Sequence, residues 1–191
     1  MDAIANESIS LLARRSNRIL IMGYGNPGRC DDGVGWYVAE KLEQIFHDSK
    51  NLHPAKQAPE NREIPPKQRP CIDVLTLHQL GIELIEDTKD FDVVVFIDAH
   101  IETNDDIKFT QVEADRQLSF TSHHLTPSML LALTKIIYHK QPTVYLCSIK
   151  GRNFDFGSVL SAETKASADV VINQISAMIN GSYRNLGEMD S

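Results

Sequence analysis

Short apolar runs alternate with amphipathic stripes along most of the chain. Residues 18–22 form an apolar run that stops at Gly23, which predicts a first, buried strand. After a glycine-rich loop, Val34, Val38, Leu42 and Ile45 recur at spacings of four, four and three, the stripe of a helix. Periodicity is then lost over residues 47–70, where five of the eight prolines fall, and a long exposed excursion is predicted. Residues 72–77 read as a second strand, 82–88 as a short helix and 92–98 as a third strand. That third run, Asp-Val-Val-Val-Phe-Ile-Asp, has no polar alternation, the mark of a strand covered on both faces. Residues 107–112 predict a further strand, with an antiparallel edge as one option. Thr126-Pro127 opens a helix, because threonine caps and proline suits the first helical position. A strand over 143–149 and a helix over 161–179 follow, the latter with Ala168, Ile172, Ile175 and Ile179 on one face.

Strands alternating with helices define an α/β fold, here a three-layer sandwich with a mostly parallel, twisted central sheet and helices on both faces. The expected organisation is an N-terminal extension over 1–17, one domain over 18–180 with the proline-rich excursion at 47–70, and a C-terminal tail over 181–191 in which Gly181 and Gly187 break the helix. Composition agrees with one domain: 191 residues, 42% apolar and 24% charged. The formal charge of −7 argues against a nucleic-acid or anionic-membrane surface as the main partner. No apolar run is long enough to span a bilayer, and the N-terminus has acids where a signal peptide would be basic. Cys30, Cys71 and Cys147 are widely spaced and odd in number, which fits a reducing cytoplasm.

In parallel sheets, sites gather where the strands end. Three loops fall there. The first, Gly23-Tyr24-Gly25-Asn26-Pro27-Gly28 through Asp31-Asp32-Gly33, contains a formal Gly-x-Gly-x-x-Gly. A dinucleotide site is nevertheless a poor fit, because Asp31 and Asp32 occupy the helix entrance and would repel a phosphate. One aspartate is enough to cap a helix; two in tandem hint at an acidic site. The second loop starts at Asp98, where an Asx-turn is the simple reading. The third is Thr121-Ser122-His123-His124-Leu125, before the Thr126 helix start. Asp32, Asp98 and His123 can converge on one edge, and two carboxylates with an imidazole form a partial shell for a divalent transition metal. The zinc-protease, serine-elbow and phosphate-loop signatures are absent from the sequence.

These residues resemble the hydrogenase maturation proteases, endopeptidases that trim the C-terminus of the [NiFe]-hydrogenase large subunit. The resemblance rests on Gly23-Tyr24-Gly25-Asn26 through Asp31-Asp32-Gly33-Val34-Gly35, on Gln79-Leu80-Gly81-Ile82-Glu83-Leu84, on Ile97-Asp98-Ala99 and on His123-His124-Leu125, and it spans about residues 18–180. It implies that Asp32, Asp98 and His123 are the metal-contacting residues, with His124 the choice if that register slips by one. It also implies an unusual division of labour, in which nickel already inserted in the substrate is recognised. No permanent cofactor is then expected, and the site is open to other divalent metals. The implied partner is the large-subunit precursor, met in the cytoplasm by a monomer. An alternative is an inactive nickel-binding accessory protein, because several members carry an acid after the second strand where this chain has Thr76-Leu77-His78-Gln79. A nucleotide-binding α/β enzyme is a further, weaker alternative. His78 is an extra potential ligand. No residue is assigned as the water-activating group; a metal-bound water, Asp31 and Asp32 remain candidates.

Overall fold

Strand β1 (Arg18–Tyr24) is apolar on both faces, and residues 19–23 are buried. It is hydrogen-bonded on one side to β2 (Cys71–Leu77) and on the other to β3 (Val93–His100), both parallel to it. Beyond β3 lies the parallel β5 (Thr143–Lys150), and beyond that the antiparallel β4 (Ile107–Val112). The five-stranded order is therefore β2-β1-β3-β5-β4. The computed structural model describes residues 18–51, 71–101, 105–115 and 125–184.

The strand period of two sorts the sheet's side chains onto two cores. Ile19, Ile21, Val95, Ile97 and Cys147 face helices α1 (Val34–Asn51) and α4 (Ala162–Arg184), which contribute Val34, Val38, Leu42, Ala168 and Ile175. Leu20, Met22, Val94 and Phe96 face α2 (Leu84–Thr88) and α3 (Pro127–Tyr138), through Leu84, Ile85 and Leu130. The three-layer expectation holds. Helix α3 starts where Thr126 caps it, accepting a hydrogen bond from the Met129 amide at 3.3 Å, with Pro127 first in the helix. It ends at His139 in the left-handed conformation, φ 55°.

Several boundaries differ from the sequence reading. Helix α1 runs to Asn51, past residue 47 where the excursion was expected to begin, and the rest of that excursion, residues 52–70, lies outside the described residues. The apolar stripe reports only the packed face, so a last turn without apolar residues in the stripe leaves no signal. Helix α4 continues through Gly181 to Arg184, because one glycine costs a helix only about 1 kcal/mol and the preceding turns are anchored. Strand β3 extends to His100, held by pairing of Asp98, Ala99 and His100 with Ser148, Ile149 and Lys150 of β5. Asp98 therefore lies within a strand. The Asx-turn reading is corrected on that point, although its Oδ1 does accept the Ala99 amide at 2.8 Å. Helix α2 begins at Leu84, two residues late.

Candidate active site at the strand-order switch

From β1 the chain moves to β2 on one side, then returns to place β3 on the other. The carboxyl ends of β1 and β3 thus flank the point where the winding reverses, the crevice in which open α/β sheets bind their ligands. The loop leaving β1 and the end of β3 carry the two predicted acids.

Close backbone packing fixes the geometry. Gly35, at the start of α1, lies against both strands: a Cβ there would sit 2.5 Å from the Ile97 carbonyl oxygen and 2.5 Å from that of Tyr24. Only glycine lets the helix entrance approach the sheet this closely. Gly25 has φ +129°, and a Cβ on it would meet the Asp32 carbonyl oxygen at 2.1 Å. The glycines of the motif therefore serve a tight, acid-bearing turn, consistent with the rejection of a phosphate cradle.

The tandem aspartates separate by role. Asp31 is fully buried, and its carboxylate accepts five hydrogen bonds: from the amides of Arg152 (2.8 Å), Asn153 (2.9 Å) and Ser161 (2.6 Å), and from the hydroxyls of Ser161 (2.8 Å) and Thr164 (2.9 Å). Burial by itself raises its pKa, but these donors outweigh it and hold the carboxyl below its ordinary value. With its oxygens engaged, Asp31 is a clamp between the first loop and the β5–α4 connection, which removes it from the candidate bases. Asp32 is half-buried and turns the other way. Its Oδ2 accepts the Asn26 amide at 2.9 Å, and Asn26 Oδ1 in turn accepts the Gly28 amide at 2.9 Å.

Asp98 is the perturbed group. Burial, opposed by hydrogen bonds from the Tyr24 hydroxyl and the Ala99 amide and reinforced by the nearby Asp32 charge, pushes its pKa up to about 6. The structure thus brings Asp32 and Asp98 within electrostatic reach of each other. Tyr24 was not singled out from the sequence. It follows Gly23, which pairs with Ile97, so it lies beside Asp98 on adjacent strands. Its ring packs edge-on against Phe96 at 6.3 Å, and burial together with the Asp98 charge raises its own pKa, keeping the hydroxyl a donor. The legible signal was a tyrosine one residue past a strand whose neighbour ends in an acid.

His123 and His124 lie outside the described residues. Among the described residues no three His, Cys, Asp or Glu side chains are grouped to hold a metal. His78 therefore does not complete a shell with the acid pair; its exposed ring packs at a tilt against Trp36, 5.1 Å between centres, while the Trp36 indole N–H donates to the Leu77 carbonyl at 2.7 Å. Cys147 is buried with its thiol pushed up to about 12, and Cys71 starts β2 at the opposite edge, so neither supplies a nucleophile here. Two carboxylates within electrostatic reach, one accepting a backbone amide and one half-withdrawn from water, supply oxygen donors of the kind a divalent cation takes. Among the described residues no helix is long and apolar enough to cross a membrane.

Solved hydrogenase maturation proteases share this α/β fold. A [NiFe] hydrogenase maturation protease, HycI, from Thermococcus kodakarensis KOD1 superposes with a TM-score of 0.63 at 18% identity, over 91% of this chain and 99% of its own. The hydrogenase maturating endopeptidase HybD from E. coli gives 0.54 at 19% identity, over 87% and 94%. A protein of Methanocaldococcus jannaschii named as a hydrogenase maturation protease is 24% identical over 168 residues, covering 87% of this chain and 90% of its own length. No family model matches.

Proposed function

We infer that the chain is an endopeptidase that removes the C-terminal peptide of a [NiFe]-hydrogenase large-subunit precursor after nickel insertion. In this reading Asp32 and Asp98 recognise the substrate's nickel, with His123 as the third donor, and the protein acts as a cytoplasmic monomer. The observation that carries it is the Asp32–Asp98 pair at the strand-order switch of a sheet whose solved relatives bear maturation-protease names. Three oxygen and nitrogen donors leave coordination positions open, which ligands from the substrate can fill. Affinity then differs between loaded and empty precursor, which is what a maturation checkpoint needs.

The test is cleavage of nickel-loaded and nickel-free precursor, followed by intact mass, with Asp98→Asn in parallel. The expected result is a C-terminal fragment from loaded precursor alone, lost in the variant. Nickel-dependent binding without a mass change would replace the enzyme by an accessory protein, the reading that Thr76 at the end of β2 favours. Absence of both binding and cleavage overturns both.

A further inference from the structure

We propose that Trp36 is a positioning residue for Asp32, holding the turn that aims its carboxylate; its bearing on nickel recognition rests on the peptidase reading. Trp36 lies in the first turn of α1, off the stripe of Val34, Val38 and Leu42, and it joins neither of the two cores. Core packing therefore does not account for a half-buried indole at this place. Its one polar atom has a specific use. The indole N–H donates to the Leu77 carbonyl at 2.7 Å, and the Gly25 amide donates to the same oxygen at 3.1 Å. A carbonyl has two lone pairs, so both bonds form together. Leu77 is the last residue of β2 and pairs with Tyr24, the last of β1. The shared oxygen thus joins three pieces where both strands end: the exit of β2, the turn after β1 and the entrance of α1.

That turn is the one that sets Asp32. A Cβ on Gly25 would stand 3.8 Å from the Asp32 carboxyl carbon, and the next amide, Asn26, donates to Asp32 Oδ2 at 2.9 Å. The path from Trp36 to the carboxylate is a donor, a carbonyl, one residue of backbone and a second donor. Glycine visits many backbone conformations, so the direction of the Asn26 amide depends on what anchors Gly25 from outside. The Leu77 carbonyl is that anchor. Trp36 fixes it by the indole bond, and its ring also packs against His78, the residue after Leu77. Without the indole N–H, the oxygen keeps one donor and the aim of Asp32 is less defined. Removing a group that holds a metal ligand without touching the metal costs about ten- to hundredfold in affinity.

The experiment compares Trp36→Phe, which keeps an aromatic ring and deletes the N–H, with wild type. The control is Tyr37→Phe, which deletes an aromatic donor in the same turn whose bond runs instead to Asp169 of α4 at 2.8 Å. Each protein is titrated with Ni²⁺ and with nickel-loaded and nickel-free precursor. Trp36→Phe should bind Ni²⁺ and loaded precursor about tenfold more weakly, and nickel-free precursor as wild type does. Tyr37→Phe should match wild type in all three. Trp36 is also the chain's one tryptophan, so Ni²⁺ should quench its emission saturably in wild type and lose that effect in Asp32→Asn. Wild-type Ni²⁺ affinity in Trp36→Phe overturns the proposal and leaves the peptidase reading intact. So does an equal loss for loaded and empty precursor, which marks a contact with the polypeptide, or an equal loss of Ni²⁺ affinity in Tyr37→Phe, which marks general loosening of α1. A wild type that neither cleaves nor binds precursor removes the peptidase reading, and the Ni²⁺ titration then decides the positioning by itself. Absence of Ni²⁺ binding as well removes the role of Asp32 and that of Trp36 with it.

Discussion

The carboxylates of Asp31 and Asp32 are chain neighbours, yet they meet different partners and have different consequences for stability and chemistry. Asp31 has all its donors inside the protein. Replacing it with Asn swaps one acceptor for an amide that faces the Ser161 N–H and strips the charge from every remaining bond. The expected loss is about 3 kcal/mol in urea unfolding. Its folded pKa is depressed, so the stability it supplies is present above the unfolded value and is lost as pH falls through the folded one. Asp98 has the opposite sign. Its raised pKa means that folding favours its protonated form, so its contribution worsens as pH climbs from the ordinary 3.8 to about 6. In the proposed nickel-contacting role, a bound divalent cation would reverse that, because it favours the ionised carboxylate. On that reading, calorimetric titration with Ni²⁺ should show affinity falling as pH drops through about 6, and Asp98→Asn should bind Ni²⁺ more weakly and keep only the pH dependence of the remaining donors. Tyr24→Phe keeps the packing on Phe96 and deletes the donor. It should shift that pH dependence upward, since a hydrogen bond that lowers the Asp98 pKa is gone.

At the scale of elements, the helix entrance at Gly35 decides whether loop and strand meet. Gly35→Ala forces a methyl group into two carbonyl oxygens of the sheet. Helix α1 must lift, which should cost about 2 kcal/mol in thermal or urea unfolding and weaken Ni²⁺ binding in the molecules that remain folded. The elements were largely legible because buried strands and packed helix faces write themselves as runs and stripes. The elements that ran longer than expected share one cause. The final turns of α1 and α4 and the last residues of β3 are held by continuation of a helix or a ladder already anchored elsewhere, so no local pattern marks them. The site was legible to a different extent. That Asp32 and Asp98 come within electrostatic reach of each other follows from loop position after strands, but the distinct duty of Asp31 does not. Its partners Arg152, Asn153, Ser161 and Thr164 lie 121 to 133 positions away. Tyr24 escaped for the same reason: its meaning depends on which strand lies beside β1.

At the scale of the molecule, those long-range bonds join two connections into one unit. The β1–α1 and β5–α4 loops share the Asp31 clamp, the Arg29 to Phe154 contact and the backbone bonds of Gly157 to Gly28 and Cys30. Hydrogen exchange should therefore report them as a single opening event. In Asp31→Asn the amides of Cys30 and Gly157 should lose protection together, although sequence separation alone would make them independent.

The same clamp sets an order of events during synthesis. Both acids of the pair leave the ribosome within the first hundred residues, and the strands that bear them can already associate. Ser161 and Thr164, which hold the first acid loop in place, emerge some sixty residues after Asp98, one just before the last helix and the other in its first turn. A growing chain thus carries its acids long before it can present them in working geometry, and a message cut short before α4 yields a product without an organised site.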